Sequence, residues 1–355
     1  MIKREFTKKV FVKDLQIGGQ NKVVIQTMTL NKTENTQAVL HEINTYATHG
    51  ADLIRLAILD MNDAIALKEI RKNTNALLVA DIHFDYRLAL EAIKNGIDKI
   101  RINPGNIGSI ENVKKVVEAC KAKKIPIRIG VNAGSLEKDL LKTYGKSATA
   151  MVESAKRHVK ILEDLDFTDI IISLKASDVT LTVDAYMLAA KTFIYPLHIG
   201  ITEAGPLYQG LIQSSAGLGT LLYHGIGDTI RISLTSDRLE EIKACKTLLA
   251  SYHLYKAPKI ISCPTCGRLS YDMKAILDQV EAYLKDKTLP ITVAVMGCAV
   301  NGPGEAKEAD IGIAGGKNEG LIFVKGKIKH KVKQEDLFNA LINEIENYQK
   351  ENADS

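Results

Sequence analysis

From residue 23 to about 234, short runs rich in Val, Ile and Leu alternate with longer segments whose apolar residues recur at helical spacing. That is the pattern of repeated strand–helix units around a parallel sheet. Eight runs read as strands: residues 23–29, 52–56, 77–81, 99–103, 126–130, 169–174, 197–202 and 229–234. Between them Leu181, Ala185, Leu188 and Ala189 fall on one helical face behind the capping-type residues Ser177 and Asp178, and residues 237–251 read the same way. Strand starts recur every ~20–45 residues over a ~230-residue stretch, which fits a (β/α)8 TIM barrel at typical size. A doubly wound open sheet has the same local pattern and is the competing architecture.

Near residue 256 the texture changes with Lys256-Ala257-Pro258, and a CxxC follows at once. The expected organisation is therefore a substrate-binding barrel over 1–256 and a smaller α+β domain over 257–355. The tail predicts a helix over 270–284, a strand over 291–296, strand-like runs near Ile311 and over 321–324, a helix over 335–348, and a frayed end from residue 351.

A chain of 355 residues, 46% hydrophobic and 25% charged, is ordinary for a soluble globular protein with a substantial core. The net charge of +5 is spread along the chain without a basic run, which argues against nucleic acid as partner. No stretch is long and apolar enough to cross a bilayer, and Met1-Ile2-Lys3-Arg4-Glu5-Phe6 lacks the apolar core of a secretory signal, so a cytoplasmic protein is expected. Of the five cysteines, Cys120 and Cys245 sit in helix-like contexts and read as small buried hydrophobes, whereas the CxxC pair reads as metal or redox chemistry.

In a barrel the active site is built at the C-terminal ends of the strands. Those ends carry Arg55, Asp81 with His83, Arg101 with Asn103, Arg128 with Asn132, Lys175, Glu203, and Arg231 with Ser233. Three runs repeat one local pattern, Ile100-Arg101-Ile102-Asn103, Ile127-Arg128-Ile129-Gly130 and Ile230-Arg231-Ile232-Ser233. Period-two alternation turns the isoleucines to the helix layer and each Arg into the barrel mouth. Any one of these arginines could be a structural ion pair with Asp81 or Glu203, or a side chain snorkelling past the rim. As a set, four arginines and a lysine repel one another beyond what Asp81 and Glu203 offset, unless an anionic ligand completes the site. Arg grips phosphate oxygens in bidentate fashion, so a small substrate carrying at least two phosphoryl charges is the expected guest.

Cys263-Pro264-Thr265-Cys266-Gly267-Arg268 is a CxxC in a tight turn, and Gly297-Cys298-Ala299-Val300-Asn301-Gly302-Pro303-Gly304-Glu305 follows some way downstream. Two thiolates on one loop and a third after a strand are spaced to meet at one metal centre. A redox disulfide or half of a zinc ribbon stays open as an alternative. Zinc is weakened because the tail offers no fourth cysteine and only His330, in a Lys-rich segment. An iron–sulfur cubane on three thiolates leaves one iron for a weaker, displaceable ligand, for which Glu305 on the Gly-rich loop is the best candidate.

These motifs, together with Ala80-Asp81-Ile82-His83-Phe84, Arg101-Ile102-Asn103-Pro104-Gly105-Asn106 and Gly200-Ile201-Thr202-Glu203-Ala204-Gly205, resemble the bacterial 4-hydroxy-3-methylbut-2-enyl diphosphate synthases of the non-mevalonate isoprenoid pathway, over essentially the whole chain. The resemblance implies a barrel joined to a reductase-like domain with one [4Fe–4S] cluster. It implies two-electron reductive opening of 2-C-methyl-D-erythritol 2,4-cyclodiphosphate, with flavodoxin or ferredoxin as electron donor and a head-to-tail homodimer. By the same resemblance Cys263, Cys266, Cys298 and Glu305 hold the cluster. Arg55, Arg101, Asn103, Arg128, Asn132, Lys175, Arg231 and Ser233 hold the diphosphate, and Asp81, His83 and Glu203 line the pocket as candidate catalytic groups. Two rival classes remain: a zinc-stabilised barrel transferase of the pterin-binding kind, and a non-enzymatic iron–sulfur electron carrier or sensor.

Overall fold

The computed structural model describes residues 1–285, 287, 289–298 and 307–353. It divides into two compact units, Met1–Tyr255 and Lys256–Ser355.

The first unit opens with a hairpin, β1 (Val10–Val12) and β2 (Leu15–Ile17). Eight parallel strands follow: β3 (Val24–Met28), β4 (Leu53–Ala57), β5 (Leu77–Asp81), β6 (Lys99–Ile102), β7 (Ile127–Asn132), β8 (Ile170–Lys175), β9 (His198–Ile199) and β10 (Thr229–Ile230). Their order is β8-β7-β6-β5-β4-β3-β10-β9, and a parallel bridge between Ile172 and Leu197 joins the two ends, so the sheet is a barrel. The helices between strands start where short acceptors stand. Asp60, Asp85, Ser109, Asp178 and Asp237 each accept a backbone N–H from the first turn of the helix that follows.

β9 and β10 are much shorter than the runs at 197–202 and 229–234 suggest. Ile201, Ile232 and Leu234, which lengthen those runs in the sequence, are buried in the main core from loop positions. Buried loop residues read as strand when periodicity is the only guide. The hairpin escapes a sequence reading because each arm is three residues long. Its Val10, Val12 and Ile17 pack on the inward Val24, Leu53, Val79 and Ile171, closing the barrel floor with an apolar plug.

The second unit holds a five-stranded sheet in the order β11 (Lys259–Ser262), β12 (Thr292–Met296), β13 (Ile311–Gly315), β14 (Glu319–Val324) and β15 (Lys327–Lys333), parallel over the first three and antiparallel over the rest. Helices Met273–Leu284 and Leu337–Ala353 bury Val280, Leu284, Leu341 and Ile345 against Val293, Val295, Ile313 and Ile322. The last helix begins after a 3-10 turn at Gln334–Asp336 and runs past residue 351, where the sequence suggests fraying. β11 and β15 are not evident from sequence. β15 in particular alternates lysines on an exposed edge, a composition that reads as solvated loop but also protects a sheet edge from pairing with another chain. Among the described residues no helix is long and apolar enough to cross a membrane.

Candidate active site

Strand register sets the barrel mouth. Asp81 on β5 is the ladder partner of Arg101 on β6, which is in turn the partner of Arg128 on β7; one strand further, Asn132 pairs with Lys175. Two arginines therefore stand side by side with no intervening acid. Asp81 accepts from Arg101 Nη1 at 3.0 Å and lies 3.6 Å from Arg55 Nε. Both ring nitrogens of His83 approach Arg101 Nη1, at 3.2 and 2.8 Å, and its Nε2 is 3.5 Å from Asp81 Oδ1. Burial alone would raise the Asp81 pKa, but Arg55, the His83 hydrogen bond, Arg101 and Arg128 together hold the carboxyl well below the usual carboxylate range. Asp81 is thus held as an anion between two guanidinium groups.

The basic groups outnumber their partners. Arg128 is 2% exposed, and its Nε and Nη1 have no hydrogen-bond partner among the described residues. Burial, then Arg55 and Arg101, work against its charge. A guanidinium keeps its proton across the biological range, so the conflict persists as a demand for counter-charge. Burial likewise brings Arg55 down to about 10, with Asp81 opposing and Arg231 and Arg101 adding to the fall. Lys175 is pushed well below the ordinary lysine range by burial and then by Arg128, Arg231, Arg55 and Arg101.

Two glycines make room for these long side chains. A Cβ on Gly130 would stand 2.6 Å from Arg101 Nε, and one on Gly200 would stand 2.6 Å from Lys175 Nζ. Two buried carboxylates pin the surrounding loops: Glu42 accepts from the N–H groups of Leu30 and Asn31, and Asp63 from those of Glu34 and Leu59.

The remaining predicted residues sit less deeply. Asn103 uses its Oδ1 to accept the Gly105 N–H at 3.0 Å, a turn-forming bond, while its flank stays partly open. Asn132 and Ser233 are half-buried, the first at the end of β7 and the second in the loop after β10. Glu203 is exposed, with left-handed backbone at φ 55°. A non-glycine residue there is strained by on the order of 1–3 kcal/mol, a feature that clusters at functional loops.

Sequence reasoning missed four residues in or beside the barrel mouth, Lys99, His198, Met28 and Glu241. Lys99, fully buried, shares the inward parity of Arg101 and donates to Gln26 Oε1 at 3.4 Å; burial, then Arg128 and Arg55, push it well below the usual lysine range. His198, fully buried, bonds Thr229 Oγ1 at 2.6 Å through Nδ1, and its Nε2 has no partner among the described residues. Burial and then Arg128, Lys175, Lys99 and Arg55 keep this imidazole neutral. Met28 offers its sulfur to Arg55 Nε and Nη2 at 3.2 and 2.9 Å and lies 3.8 Å from Arg231 Nη1, so a neutral, polarizable group separates two like charges. Glu241, on the helix Arg238–Ser251, lies 3.5 Å from Arg231 Nε. The signal that could have found Lys99 is parity alone; Glu241 needed the tertiary fold.

In the second unit Cys263, Cys266 and Cys298 line one small recess with Pro264, Thr265, Leu269 and Gly297. The Gly297 N–H donates to Cys263 Sγ at 3.2 Å, the kind of bond that stabilises a thiolate ligand. None of the five cysteines is in a disulfide among the described residues. Cys120 and Cys245 are buried in the barrel unit, where burial raises the thiol pKa, to about 12 for Cys245. Among the described residues no three His, Cys, Asp or Glu side chains are already gathered at metal-binding distance. Glu305 lies outside the described residues. Three soft sulfur donors facing one recess, one of them receiving a backbone N–H, suit an iron–sulfur group in their chemistry.

Comparison with known proteins adds sequence and fold relationships. Residues 7–246 match the GcpE TIM-barrel domain, and residues 259–347 match the GcpE protein C-terminal domain. The chain is 56% identical over 345 residues to a 4-hydroxy-3-methylbut-2-en-1-yl diphosphate synthase (flavodoxin) of Macrococcus caseolyticus, covering 97% of this chain and 93% of the relative. It is likewise 56% identical over 345 residues to the protein of the same name from Bacillus subtilis, covering 97% of this chain and 92% of that one. Among solved structures, a dihydropteroate synthase from Stenotrophomonas maltophilia aligns at TM-score 0.50 and 13% identity, covering 69% of this chain and 98% of that one. That likeness concerns the barrel fold alone.

Proposed function

Because the chain belongs to the GcpE family, we propose that it is an oxidoreductase that reductively opens 2-C-methyl-D-erythritol 2,4-cyclodiphosphate to 4-hydroxy-3-methylbut-2-enyl diphosphate, in isoprenoid precursor biosynthesis. The proposed electron donor is flavodoxin, the donor in its relatives' names, with ferredoxin as the alternative. The reading rests above all on Arg128, a buried guanidinium with two unpartnered nitrogens amid Arg55, Arg101, Lys175 and Arg231. A diphosphate is the ligand that answers such a surplus of cationic donors.

In this proposal the barrel unit binds substrate and the second unit carries the redox centre. A [4Fe–4S] cluster held by Cys263, Cys266, Cys298 and Glu305 would supply electrons and a Lewis-acidic iron when bound. Arg55, Arg101, Arg128, Lys175 and Arg231 grip the phosphoryl oxygens, and Asn103, Asn132 and Ser233 complete the set of donors. Asp81 holds Arg55 and Arg101 in register across 3.6 and 3.0 Å. The apolar floor of Val10, Val12 and Ile17 keeps water from entering beneath the bound anion. Reductive loss of oxygen consumes protons, and His83 at the rim and exposed Glu203 are the two groups proposed to deliver them. The homodimer, head to tail, is part of the same proposal.

The deciding experiment measures iron, acid-labile sulfide and turnover in protein purified without oxygen. The expected result is about four iron and four sulfide per chain, with flavodoxin-dependent conversion of the cyclodiphosphate. Zinc without sulfide overturns the redox reading, and a full cluster complement without cyclodiphosphate binding leaves an electron carrier. Glu305→Gln is expected to keep its iron while turnover collapses; full turnover in that variant removes Glu305 from its role.

A further inference from the structure

We propose that Glu241 is a positioning residue: it aims the Arg231 guanidinium into the barrel mouth and acts on substrate only through Arg231. The inference rests on the reading of that mouth as a diphosphate site. Glu241 belongs to the helix Arg238–Ser251, not to a strand end, and is 1% exposed. Its Oε1 accepts the Leu234 N–H at 2.9 Å and a bond from Arg238, and Arg238 Nη1 also donates to the Leu234 carbonyl at 3.1 Å. This clamp fastens the segment after β10, which carries Arg231 and Ser233, to the first turn of the helix.

The clamp occupies only one carboxylate oxygen. Oε2 is buried, stands 3.5 Å from Arg231 Nε, and neither atom has a hydrogen-bond partner among the described residues. A glutamine would hold the Leu234 N–H through its carbonyl equally well, so the second oxygen and its charge are not explained by the clamp. They are explained by Arg231. A guanidinium offers a planar fork, and a carboxylate on its Nε side leaves the edge formed by its two Nη atoms for bidentate contact with a phosphoryl group. Met28, 3.8 Å from Arg231 Nη1, borders that edge without competing as an anion. Burial works to lower the Arg231 pKa and Glu241 opposes it, so the same carboxylate offsets part of the cost of burying that charge beside Arg238.

The test is a double-mutant cycle on the full-length cluster-loaded protein: wild type, Glu241→Gln, Arg231→Met and the pair. Kd for the cyclodiphosphate, kcat, KM and melting temperature are measured for each. Glu241→Gln is expected to raise KM and Kd about tenfold with kcat within about twofold and an unchanged melting temperature. Arg231→Met is expected to raise them further, and the double variant to match Arg231→Met alone. Multiplying effects in the double variant overturn the proposal, as does a wild-type KM in Glu241→Gln or a KM rise that tracks a fall in melting temperature. Should Glu241→Gln fail to fold, Glu241→Asp, which keeps the charge and shortens its reach, takes its place in the cycle under the same criteria. Wild-type protein that binds no cyclodiphosphate overturns the reading of the mouth and this proposal with it.

Discussion

The barrel mouth and the cysteine recess place their chemistry on different kinds of backbone. Asp81, Arg101 and Arg128 occupy neighbouring ladder positions on β5, β6 and β7, so hydrogen-bonded register fixes where each side chain starts. Cys263 and Cys266 stand on the loop after β11, and Cys298 follows β12, with Cys266 exposed and the other two half-buried. A preformed mouth needs from its ligand only charge, because geometry is already set. A loop-borne set of thiols takes its geometry from whatever it binds, as in sites where metal binding and local folding are one event.

If that contrast holds, the two regions can be broken one at a time. Cys263→Ser gives the largest effect: iron, sulfide and turnover fall to background, while calorimetric binding of cyclodiphosphate changes by less than about twofold. Loss of substrate binding in that variant would join the two regions thermodynamically and end the contrast. Arg128→Ala is the reciprocal cut. Removing a buried, fully desolvated guanidinium is expected to weaken substrate by about 2–4 kcal/mol, roughly 30- to 1,000-fold in Kd, with iron and sulfide unchanged.

A smaller effect sharpens the picture of the mouth. Burial and four neighbouring guanidinium groups depress the Lys175 pKa, so its ammonium is easier to deprotonate before ligand arrives. A bound dianion favours the ammonium and raises that pKa, and binding therefore takes up protons. Affinity must then fall as pH rises through the depressed free value. Calorimetry in two buffers of different ionisation enthalpy reads the uptake, which Lys175→Met should abolish; identical heats in both buffers would contradict it. The unliganded protein obeys the opposite sign. Between the depressed folded value and the ordinary lysine value the unfolded chain binds more protons, so this residue makes stability rise with pH there.

Gly130→Ala should show the smallest change. Its Cβ would crowd Arg101 Nε at 2.6 Å and Nη2 at 2.9 Å. A displaced side-chain tip is cheaper than a lost one, and a three- to tenfold rise in Kd is expected, about 1 kcal/mol.

What the sequence could reveal follows the same division. Arg101 and Arg128 were legible because an Arg between isoleucines on a strand has only one face to occupy, and their parity carries the rest. Lys99 shares that parity but was passed over at the start of its run, and His198 was not legible, because a polar residue deep inside a barrel looks like any position within an apolar run until the closed sheet places Arg128 beside it. Glu241 is four helical residues past a cap and reads as ordinary helix surface; only the packing of Arg238–Ser251 turns it onto Arg231. The CxxC and Cys298 announced themselves by spacing. The segment 299–306, with Glu305, lies outside the described residues, and the ligand set as a whole stays a proposal.

The hairpin beneath the barrel has a consequence for traffic. With Val10, Val12 and Ile17 sealing one end against Val24, Leu53, Val79 and Ile171, the chamber is a cup and not a pipe. Whatever enters must leave by the doorway it came through, and reagent, product, solvent and protons all queue at the same rim. Anything that covered this rim would stop every exchange at once.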